Sequence, residues 1–276
     1  FAATSDIVKP FTRLVIVESC CSCKPGNSAG DGCMPKFAAN LTMMFTEVDF
    51  TERFSLAADA GFKAVEFLFP YPYAAERLKS LLDDNGLELV LHNFPAGDWQ
   101  AGDRGIACLP DRIQEFQDGV GQAIEYAKTL GCRRLNSLAG IAPKGTDQGQ
   151  LRQVFVENIG FAATSCAKEG ITLLIEPINT QDIPDFFLRN TQQALEILKD
   201  VGADNVKLQY DIYHMQIMEG NLARTIEEHI DIIDHIQLAD NPGRHEPGTG
   251  EIHYPFLFQH IDKLKYAGWI GCEYKP

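Results

Sequence analysis

The segment Ile171-Thr-Leu-Leu-Ile-Glu-Pro-Ile-Asn179 runs from five largely apolar residues into a carboxylate and then a proline. A short apolar run bounded in this way is typical of a parallel β-strand that is buried on both faces. Glu176 then lies at the carboxyl end of that strand. A carboxylate buried there costs free energy unless it is paired or binds a metal ion. The segment therefore predicts a functional group at the end of a buried strand.

The same form recurs three times later in the chain, where an apolar strand ends in an oxygen-bearing side chain. These later segments are Val206–Asp211, Ile232–Gln237 and Trp269–Glu273. Each interval between consecutive polar ends is long enough for one helix that returns the chain to the start of the next strand. Four parallel strands that end in Glu, Asp, Gln and Glu describe an active site at one edge of the sheet.

Strands and helices are predicted to alternate with few interruptions from residue 37 onward. Eight strands with seven helices between them indicate an α/β fold, the (β/α)8 TIM barrel, and 276 residues is a normal length for one such barrel. The main rival is an open, doubly wound sheet, which usually carries a phosphate-binding loop after its first strand. No GxGxxG or Walker sequence follows the first predicted strand, Phe37–Phe45, so we favour the barrel.

The two ends of the chain differ from the rest of the predicted barrel. Residues 1–33 hold four crowded cysteines whose spacing is not that of a zinc site: Cys20, Cys21, Cys23 and Cys33. We expect a non-native or disordered extension at 1–33, a natural start at Met34 and a single barrel domain at 34–276. The chain stops at Pro276, directly after strand eight, so we expect a barrel that lacks its final C-terminal helix.

Composition excludes several classes of protein. The net charge is −14, from 24 basic and 38 acidic residues, which argues against nonspecific nucleic-acid binding through phosphate contacts. No apolar run approaches the length of a membrane span. The four scattered cysteines lie in apolar or helical contexts, as reduced thiols do: Cys108, Cys132, Cys166 and Cys272. We expect a cytoplasmic protein with no membrane and no nucleic-acid partner.

The four polar strand ends predict a metal site. Period-two alternation places them on the same strand faces as Leu174, Gln209, His235 and Gly271, in chain order. A helix cap or a loop salt bridge is the favoured explanation for any one of them alone, but four in successive units argue against coincidence. An all-oxygen set suits a divalent Mg²⁺ or Mn²⁺ ion better than zinc. Such an ion can polarise a substrate carbonyl, and a carboxylate beside it can move a proton between adjacent carbons.

Three further residues are candidates for binding the substrate. His214 follows Asp211 by three residues and can donate a hydrogen bond to a substrate oxygen, although a structural histidine at a strand end is an equal alternative. Arg244 lies on the glycine-rich loop after strand seven, where a guanidinium can hold a carboxylate, or can be an ordinary surface arginine. His92 ends strand three and can line the pocket or only orient its neighbours.

At these residues the sequence resembles the hydroxypyruvate isomerase family, within the xylose-isomerase-like barrels, over nearly all of residues 34–276. The segments that carry the resemblance in the first half of the barrel are Phe37-Ala-Ala-Asn-Leu-Thr-Met-Met-Phe45, Val65-Glu-Phe-Leu-Phe-Pro-Tyr71 and Leu91-His-Asn-Phe-Pro-Ala-Gly-Asp-Trp99. Those in the second half are Leu174-Ile-Glu-Pro-Ile-Asn179, Tyr210-Asp-Ile-Tyr-His-Met-Gln216, Glu246-Pro-Gly-Thr-Gly-Glu251 and Gly271-Cys-Glu-Tyr-Lys-Pro276. Together these segments are specific, whereas no single one would be.

The resemblance implies a role for each of the candidate residues. Metal ligands would be Glu176, Asp211, Gln237 and Glu273. Glu176 and Glu273 would also be the acid/base pair, and His214 and Arg244 would contact the substrate. The implied reaction is the metal-dependent interconversion of hydroxypyruvate and 2-hydroxy-3-oxopropanoate through an enediolate.

Several alternatives stay open at this point. The same machinery suits a 2-oxo-tetronate isomerase or a ketose 3-epimerase, and a noncatalytic sugar-acid-binding barrel belongs to a different class. The endonuclease-IV-like branch of such barrels would need histidine-rich metal ligands and basic grooves, which this sequence does not have. The expected partner is a small 2-oxo or hydroxy acid, and assembly into a homo-oligomer is left open.

Overall fold

Eight short parallel strands close into a barrel in the structure, a computed structural model that describes residues 35–276. Each strand pairs with the next in chain order, and β8 pairs with β1 to complete the ring. The proposed extension at 1–33, its four cysteines and the start at Met34 lie outside the described residues. The predicted (β/α)8 barrel is confirmed.

The strands and helices alternate as the sequence predicts. The strands are β1 (Lys36–Asn40), β2 (Ala64–Glu66), β3 (Glu88–Asn93), β4 (Arg134–Ser137), β5 (Thr172–Ile175), β6 (Val206–Asp211), β7 (Ile233–Leu238) and β8 (Trp269–Cys272). The α-helices of the described residues are α1 (Arg53–Asp59), α2 (Ala75–Asp84), α3 (Ile113–Leu130), α4 (Gln148–Lys168), α5 (Thr191–Val201), α6 (Ile212–Met218), α7 (Leu222–His229) and α8 (Tyr254–Lys263). Single turns of 3₁₀ helix precede α1 and α3.

Local signals fix the ends of the helices. Asn190 caps α5 by accepting a hydrogen bond from the backbone N–H of Gln193, and Gly202 ends the helix in the left-handed conformation with φ 64°. Gly131 ends α3 in the same way, with φ 74°. Across residues 35–276, no helix combines the length and the apolar character needed to cross a bilayer.

The core has two parts, one on each side of the strands. The larger cluster fills the space between the barrel and its helices, and the smaller one fills the barrel itself. The interior cluster consists of Ala38, Ala64, Val90, Leu91 and Leu174, with Trp269 packed against it. Removing such side chains from water is the main favourable term in folding, at about 25 cal/mol per Å² of apolar surface.

A layer of buried polar residues lies above the interior cluster, toward the carboxyl ends of the strands. Two-residue alternation generates it in β1 and β2, because Asn40 follows Ala38 and Glu66 follows Ala64 on the same face. In β3 the extra residue is Val90, so the interior face continues from Leu91 to Asn93. Asn136, Gln209 and His235 are also buried. The chemistry of the molecule is therefore concentrated at one end of the barrel.

Two β-bulges determine whether the residues that follow them face the barrel interior or the helices. The register between β2 and β3 shifts at Val65/Glu66, and that between β6 and β7 shifts at Leu208/Gln209. In β7 the extra residue is Asp234. Ile233 before it packs in the helix-facing core, whereas His235 after it contacts Glu66 inside the barrel.

The structure differs from the sequence-based boundaries in two places. The first strand ends at Asn40 rather than Phe45, because the Asn40 side chain accepts a hydrogen bond from the backbone N–H of Thr42 and turns the chain. Helix α6 was not predicted. It begins directly at the end of β6, since the carboxylate of Asp211 accepts hydrogen bonds from the N–H groups of Tyr213 and His214 and caps the helix.

Replacing Gly271 by alanine should destabilise the protein. A Cβ on Gly271 would lie 2.3 Å from Oε2 of Glu66, so the carboxylate has to shift, which typically costs about 1–3 kcal/mol. Urea unfolding measures the change. Gly121→Ala is the matched control, because nothing lies within 4 Å of its Cβ on α3, and it should stabilise the protein by about 0.5–1 kcal/mol. Equal responses of the two variants would contradict the close packing of Gly271 against Glu66.

Candidate active site

Three carboxylates meet at the carboxyl ends of the strands. Glu176 directly follows β5, Asp211 ends β6 and Glu273 directly follows β8. Ligand atoms of these three residues and of His214 all lie within 4.8 Å of one another, and all four residues are buried. The structure thus brings together three of the four residues that the sequence predicts as metal ligands.

The two carboxylate oxygens of Asp211 have different surroundings: one contacts helix α6 and the other faces the carboxylate cluster. Its Oδ1 accepts the backbone N–H of Tyr213 at 2.7 Å, which caps α6. Its Oδ2 is buried and has no hydrogen-bond partner among residues 35–276. A buried carboxylate oxygen without a partner is costly, so this atom is suited to bind a cation.

The two glutamates of the cluster hold protons more tightly than ordinary carboxyls. Burial raises the pKa of Glu176 well above its usual value, and Glu273 and Asp211 raise it further, while Nδ2 of Asn136 donates to Glu176 Oε2 at 2.8 Å. Burial raises the pKa of Glu273 to about 8 against the opposing effect of Arg244. A carboxyl with a pKa of about 8, as for Glu273, exchanges protons readily near neutral pH, which is what a general acid or base requires.

Arg244 lies beside the carboxylates. Its Nη2 is 2.5 Å from Oε2 of Glu273 and 3.7 Å from Oδ2 of Asp211, and the guanidinium lies 5.1 Å from the centre of the Tyr213 ring. Its backbone is left-handed with φ 59°. The loop that carries it is held by Asp240, a buried residue that accepts the N–H groups of Asn241, Gly248 and Ile252.

The hydrogen bonds of His214 decide which of its ring nitrogens carries the proton. Oδ1 of Asn179 accepts two backbone N–H groups, so its Nδ2 is the atom that faces Nδ1 of His214, at 2.7 Å, and donates to it. Burial lowers the pKa of His214 to about 4, so the ring is neutral at pH 7. Its proton therefore lies on Nε2, which makes that atom a donor rather than a metal ligand.

Gln237 is hydrogen-bonded below the cluster. Its Cα is the register partner of Asp211, its Nε2 donates to Oε1 of Glu66 at 2.7 Å, and its Oε1 accepts from Nε2 of Gln209 at 2.5 Å. Glu66 was not among the predicted site residues. The available signal was the one used for Glu176, a carboxylate at a strand end, but β2 is only three residues long.

His92 lies in the barrel wall with the opposite ring tautomer to His214. Its Nδ1 is 3.3 Å from the carbonyl oxygen of Asn93 and donates to it, so Nε2 is left as an acceptor with no partner among the described residues. Burial lowers the pKa of His92 to about 4. No hydrogen bond among residues 35–276 joins His92 to the carboxylate cluster, so its contact with a substrate stays a prediction.

The donor set fits a metal ion. Three carboxylates converge, one of their oxygens has no protein partner, and an amide side chain lies on the neighbouring strand position. Oxygen ligands of this kind suit a divalent cation, and a cation would offset the repulsion among the carboxylates.

A sequence model of the xylose isomerase-like TIM barrel family matches residues 54–276. The chain belongs to this family. It is 56% identical over 243 residues to the hydroxypyruvate isomerase of Escherichia coli (strain K12), with 88% of this chain and 94% of the relative covered. It is 50% identical over 243 residues to the 2-oxo-tetronate isomerase of Cupriavidus necator, with the same coverage.

A solved structure of the same family has the same fold. The crystal structure of an AP endonuclease, family 2, from Brucella melitensis superposes with a TM-score of 0.86 at 47% identity, and covers 88% of this chain and 94% of that chain. The predicted family, the barrel and the isomerase class are confirmed. The roles of the individual site residues and the identity of the ion remain predictions.

The free energy of unfolding of the metal-free protein should fall as the pH rises from about 4.5 to about 8, because Glu273 binds a proton more tightly in the folded state. Its carboxyl has a pKa of about 8 in the folded protein, against an ordinary value of 4.5 in the unfolded chain. Between these values the folded state binds more protons than the unfolded state, so stability falls with rising pH. Urea unfolding at a series of pH values, with a chelator present, measures this. Glu273→Gln removes the titrating group, so the stability of the variant relative to wild type should increase across the same range. A constant difference would contradict the raised pKa.

Proposed function

We propose that this protein is a divalent-metal-dependent isomerase that interconverts hydroxypyruvate and 2-hydroxy-3-oxopropanoate. The observation that carries the proposal is the buried cluster of Glu176, Asp211 and Glu273, with Arg244 directly beside it. The cluster supplies proton-transfer groups and cation ligands, and the arginine supplies a partner for an acidic substrate. The 56% identical relative that is named hydroxypyruvate isomerase supports the choice of substrate.

In this reaction a proton moves between adjacent carbons of the substrate. One of the two glutamates, Glu176 or Glu273, removes a proton from C3 of hydroxypyruvate, and an enediolate forms. A proton is then returned to C2, and the hydroxyl proton of the C3 oxygen passes to the C2 oxygen, which leaves the aldehyde at C3 and a hydroxyl at C2. The second glutamate takes part in these later transfers. The pKa of Glu273, raised to about 8, suits it to accept and release a proton near neutral pH, and burial raises the pKa of Glu176 as well.

The metal ion is proposed to be Mg²⁺ or Mn²⁺, held by Glu176, Asp211, Gln237 and Glu273. Its contribution would be to polarise the substrate carbonyl and stabilise developing negative charge, which is worth several kcal/mol. The all-oxygen character of the four side chains and the unpartnered Oδ2 of Asp211 support a hard cation.

Two residues are proposed to orient the substrate. The guanidinium of Arg244 forms a bidentate contact with the substrate carboxylate, a geometry that arginine suits. Nε2–H of His214 donates to a substrate oxygen, because the hydrogen bond from Asn179 keeps the proton on that nitrogen. His92 has an acceptor nitrogen without a partner and would take a hydrogen bond from a substrate hydroxyl.

A second candidate is the isomerisation of a four-carbon 2-oxo acid. The 50% identical relative named 2-oxo-tetronate isomerase favours it, and the proposed chemistry would be unchanged. The partner in either case is a small acidic molecule. The net charge of −14 and a site built from carboxylates favour such a substrate over DNA.

Metal-stripped protein should be inactive on hydroxypyruvate and should regain activity when Mg²⁺ or Mn²⁺ is added. The assay follows formation of 2-hydroxy-3-oxopropanoate, and circular dichroism of the stripped protein checks that it remains folded. Glu176→Gln should lower turnover by about 10²–10⁴-fold, because it removes a proton-transfer group and a cation ligand. A noncatalytic binding protein would instead keep its ligand affinity in this variant. If the folded, metal-loaded protein turned over 2-oxo-tetronate and not hydroxypyruvate, the four-carbon substrate would replace the first.

Arg244→Ala should reduce kcat/KM for hydroxypyruvate by about 10²–10³-fold, since a charged partner of the carboxylate is removed from a partly buried place. Steady-state kinetics measure this, with glyceraldehyde, which has no carboxylate, as a second substrate. The variant and wild type should differ far less on glyceraldehyde if it is turned over. Arg224→Ala is the control, because Arg224 is exposed on α7 and pairs with Glu228 there. Equal losses in both arginine variants would contradict a carboxylate-binding role.

A further inference from the structure

Glu66 is the centre of a buried hydrogen-bond network directly below the proposed metal site. Its Oε1 accepts from Nε2 of Gln237 at 2.7 Å and from Nδ2 of Asn40 at 2.9 Å. Its Oε2 lies 2.6 Å from Nε2 of His235. The residue is 1% exposed, and the glycine at position 271 leaves the space that its carboxylate fills. The network therefore joins three strands, β1, β2 and β7, at one carboxylate, and β8 leaves room for it at Gly271.

An ionised carboxylate has acceptors and no donors, so each partner must turn an N–H toward it. This requirement determines the orientation of the Gln237 side chain, because an amide has a donor end and an acceptor end. If the amide were reversed, its oxygen would lie against the carboxylate of Glu66, and a hydrogen bond would be replaced by repulsion. Glu66 thus keeps the nitrogen of Gln237 facing into the network.

The oxygen of Gln237 is consequently the end that remains for a ligand. It accepts one hydrogen bond, from Nε2 of Gln209, and a carbonyl oxygen has a second lone pair. A cation needs this oxygen, since the amide nitrogen has no lone pair to give.

We propose that Glu66 is a positioning residue, which holds the amide of Gln237 in the orientation that presents its oxygen to the divalent cation. The inference rests on the proposed function, because it presumes the four-oxygen metal site. Glu66 itself does not touch substrate or cation. Partners that orient metal ligands in this way typically change metal affinity by about 10–100-fold when they are replaced.

Glu66→Gln tests the proposal through the binding of Mn²⁺, measured from the electron paramagnetic resonance signal of the free ion. An amide at this position can donate as well as accept, so Gln237 is free to reverse, and Mn²⁺ affinity should fall by about 10–100-fold. In the Gln237→Ala background the same substitution should change affinity by less than about 3-fold, because the group through which Glu66 acts is gone. Glu88→Gln, at an exposed position on β3, is the matched control and should leave affinity unchanged.

The exchange variant Glu66→Gln/Gln237→Glu gives a second measurement that does not depend on Glu66→Gln alone being stable. It places a donor at position 66 and a carboxylate, which has two equivalent oxygens, at position 237. It should bind Mn²⁺ more tightly than Gln237→Glu alone, in which two carboxylates face each other. Thermal unfolding with a chelator present follows the stability of every variant.

The outcomes separate this inference from the proposed function. If wild type does not bind Mn²⁺, the metal site fails and the inference falls with it. If wild type binds Mn²⁺ and Glu66→Gln binds it equally well, the positioning role is overturned while the metal site stands. The same holds if Glu66→Gln lowers the Mn²⁺ affinity by the same factor with Gln237 present and with Gln237 replaced by alanine. Loss of affinity confined to the background with Gln237, together with recovery in the exchange variant, supports it.

Discussion

Repulsion among buried carboxylates is the constraint on which the rest of this structure depends. Ligand atoms of Glu176, Asp211 and Glu273 lie within 4.8 Å of one another, where each fully ionised pair repels by roughly 3 kcal/mol at an effective dielectric constant near 20. Three such pairs would approach the whole stability of a typical domain, about 5–15 kcal/mol. The cluster can persist because protons stay on the glutamates, because Arg244 lies against Glu273, and because one end of Asp211 is satisfied by helix α6.

Residues on several strands of the barrel stabilise the buried carboxylates. An apolar layer closes the lower part of the interior, and the polar layer above it supplies hydrogen bonds to the carboxylates. Asn136 donates to Glu176, and Asn40 joins Glu66 to Glu273. Glu176 and Glu273 are thus each contacted by a side chain from another strand, Asp211 is held by helix α6, and the strands themselves form a closed ring.

The architecture and the functional residues at the strand ends could be predicted from the sequence, whereas the contacts across the barrel could not. Glu176, Asp211 and Glu273 could be found because an apolar run that stops at a carboxylate is a local pattern. Glu66 also follows an apolar run, but its strand is only three residues long. Its role depends on contacts that are distant in the sequence, such as the one with His235, which lies 169 positions away. The proton position on His214 likewise depends on Asn179, and no spacing rule reveals it. Helix α6 was missed because a seven-residue helix that starts at the last residue of a strand leaves little periodicity to detect.

Because of the bulge at Asp234, strands β7 and β6 should respond differently to the loss of one residue. Ile233 faces the helices and His235 faces the interior, so without the bulge the same sequence would turn Gln237 outward and put Ile236 in the mouth of the barrel. Loss of Asp234 would leave Gln237 on its present face. Strand β6 has no extra residue of its own, so a deletion between Val206 and Asp211 would move the carboxylate of Asp211 to the helix side. Insertions and deletions that related chains can accumulate are therefore expected in β7 before β6.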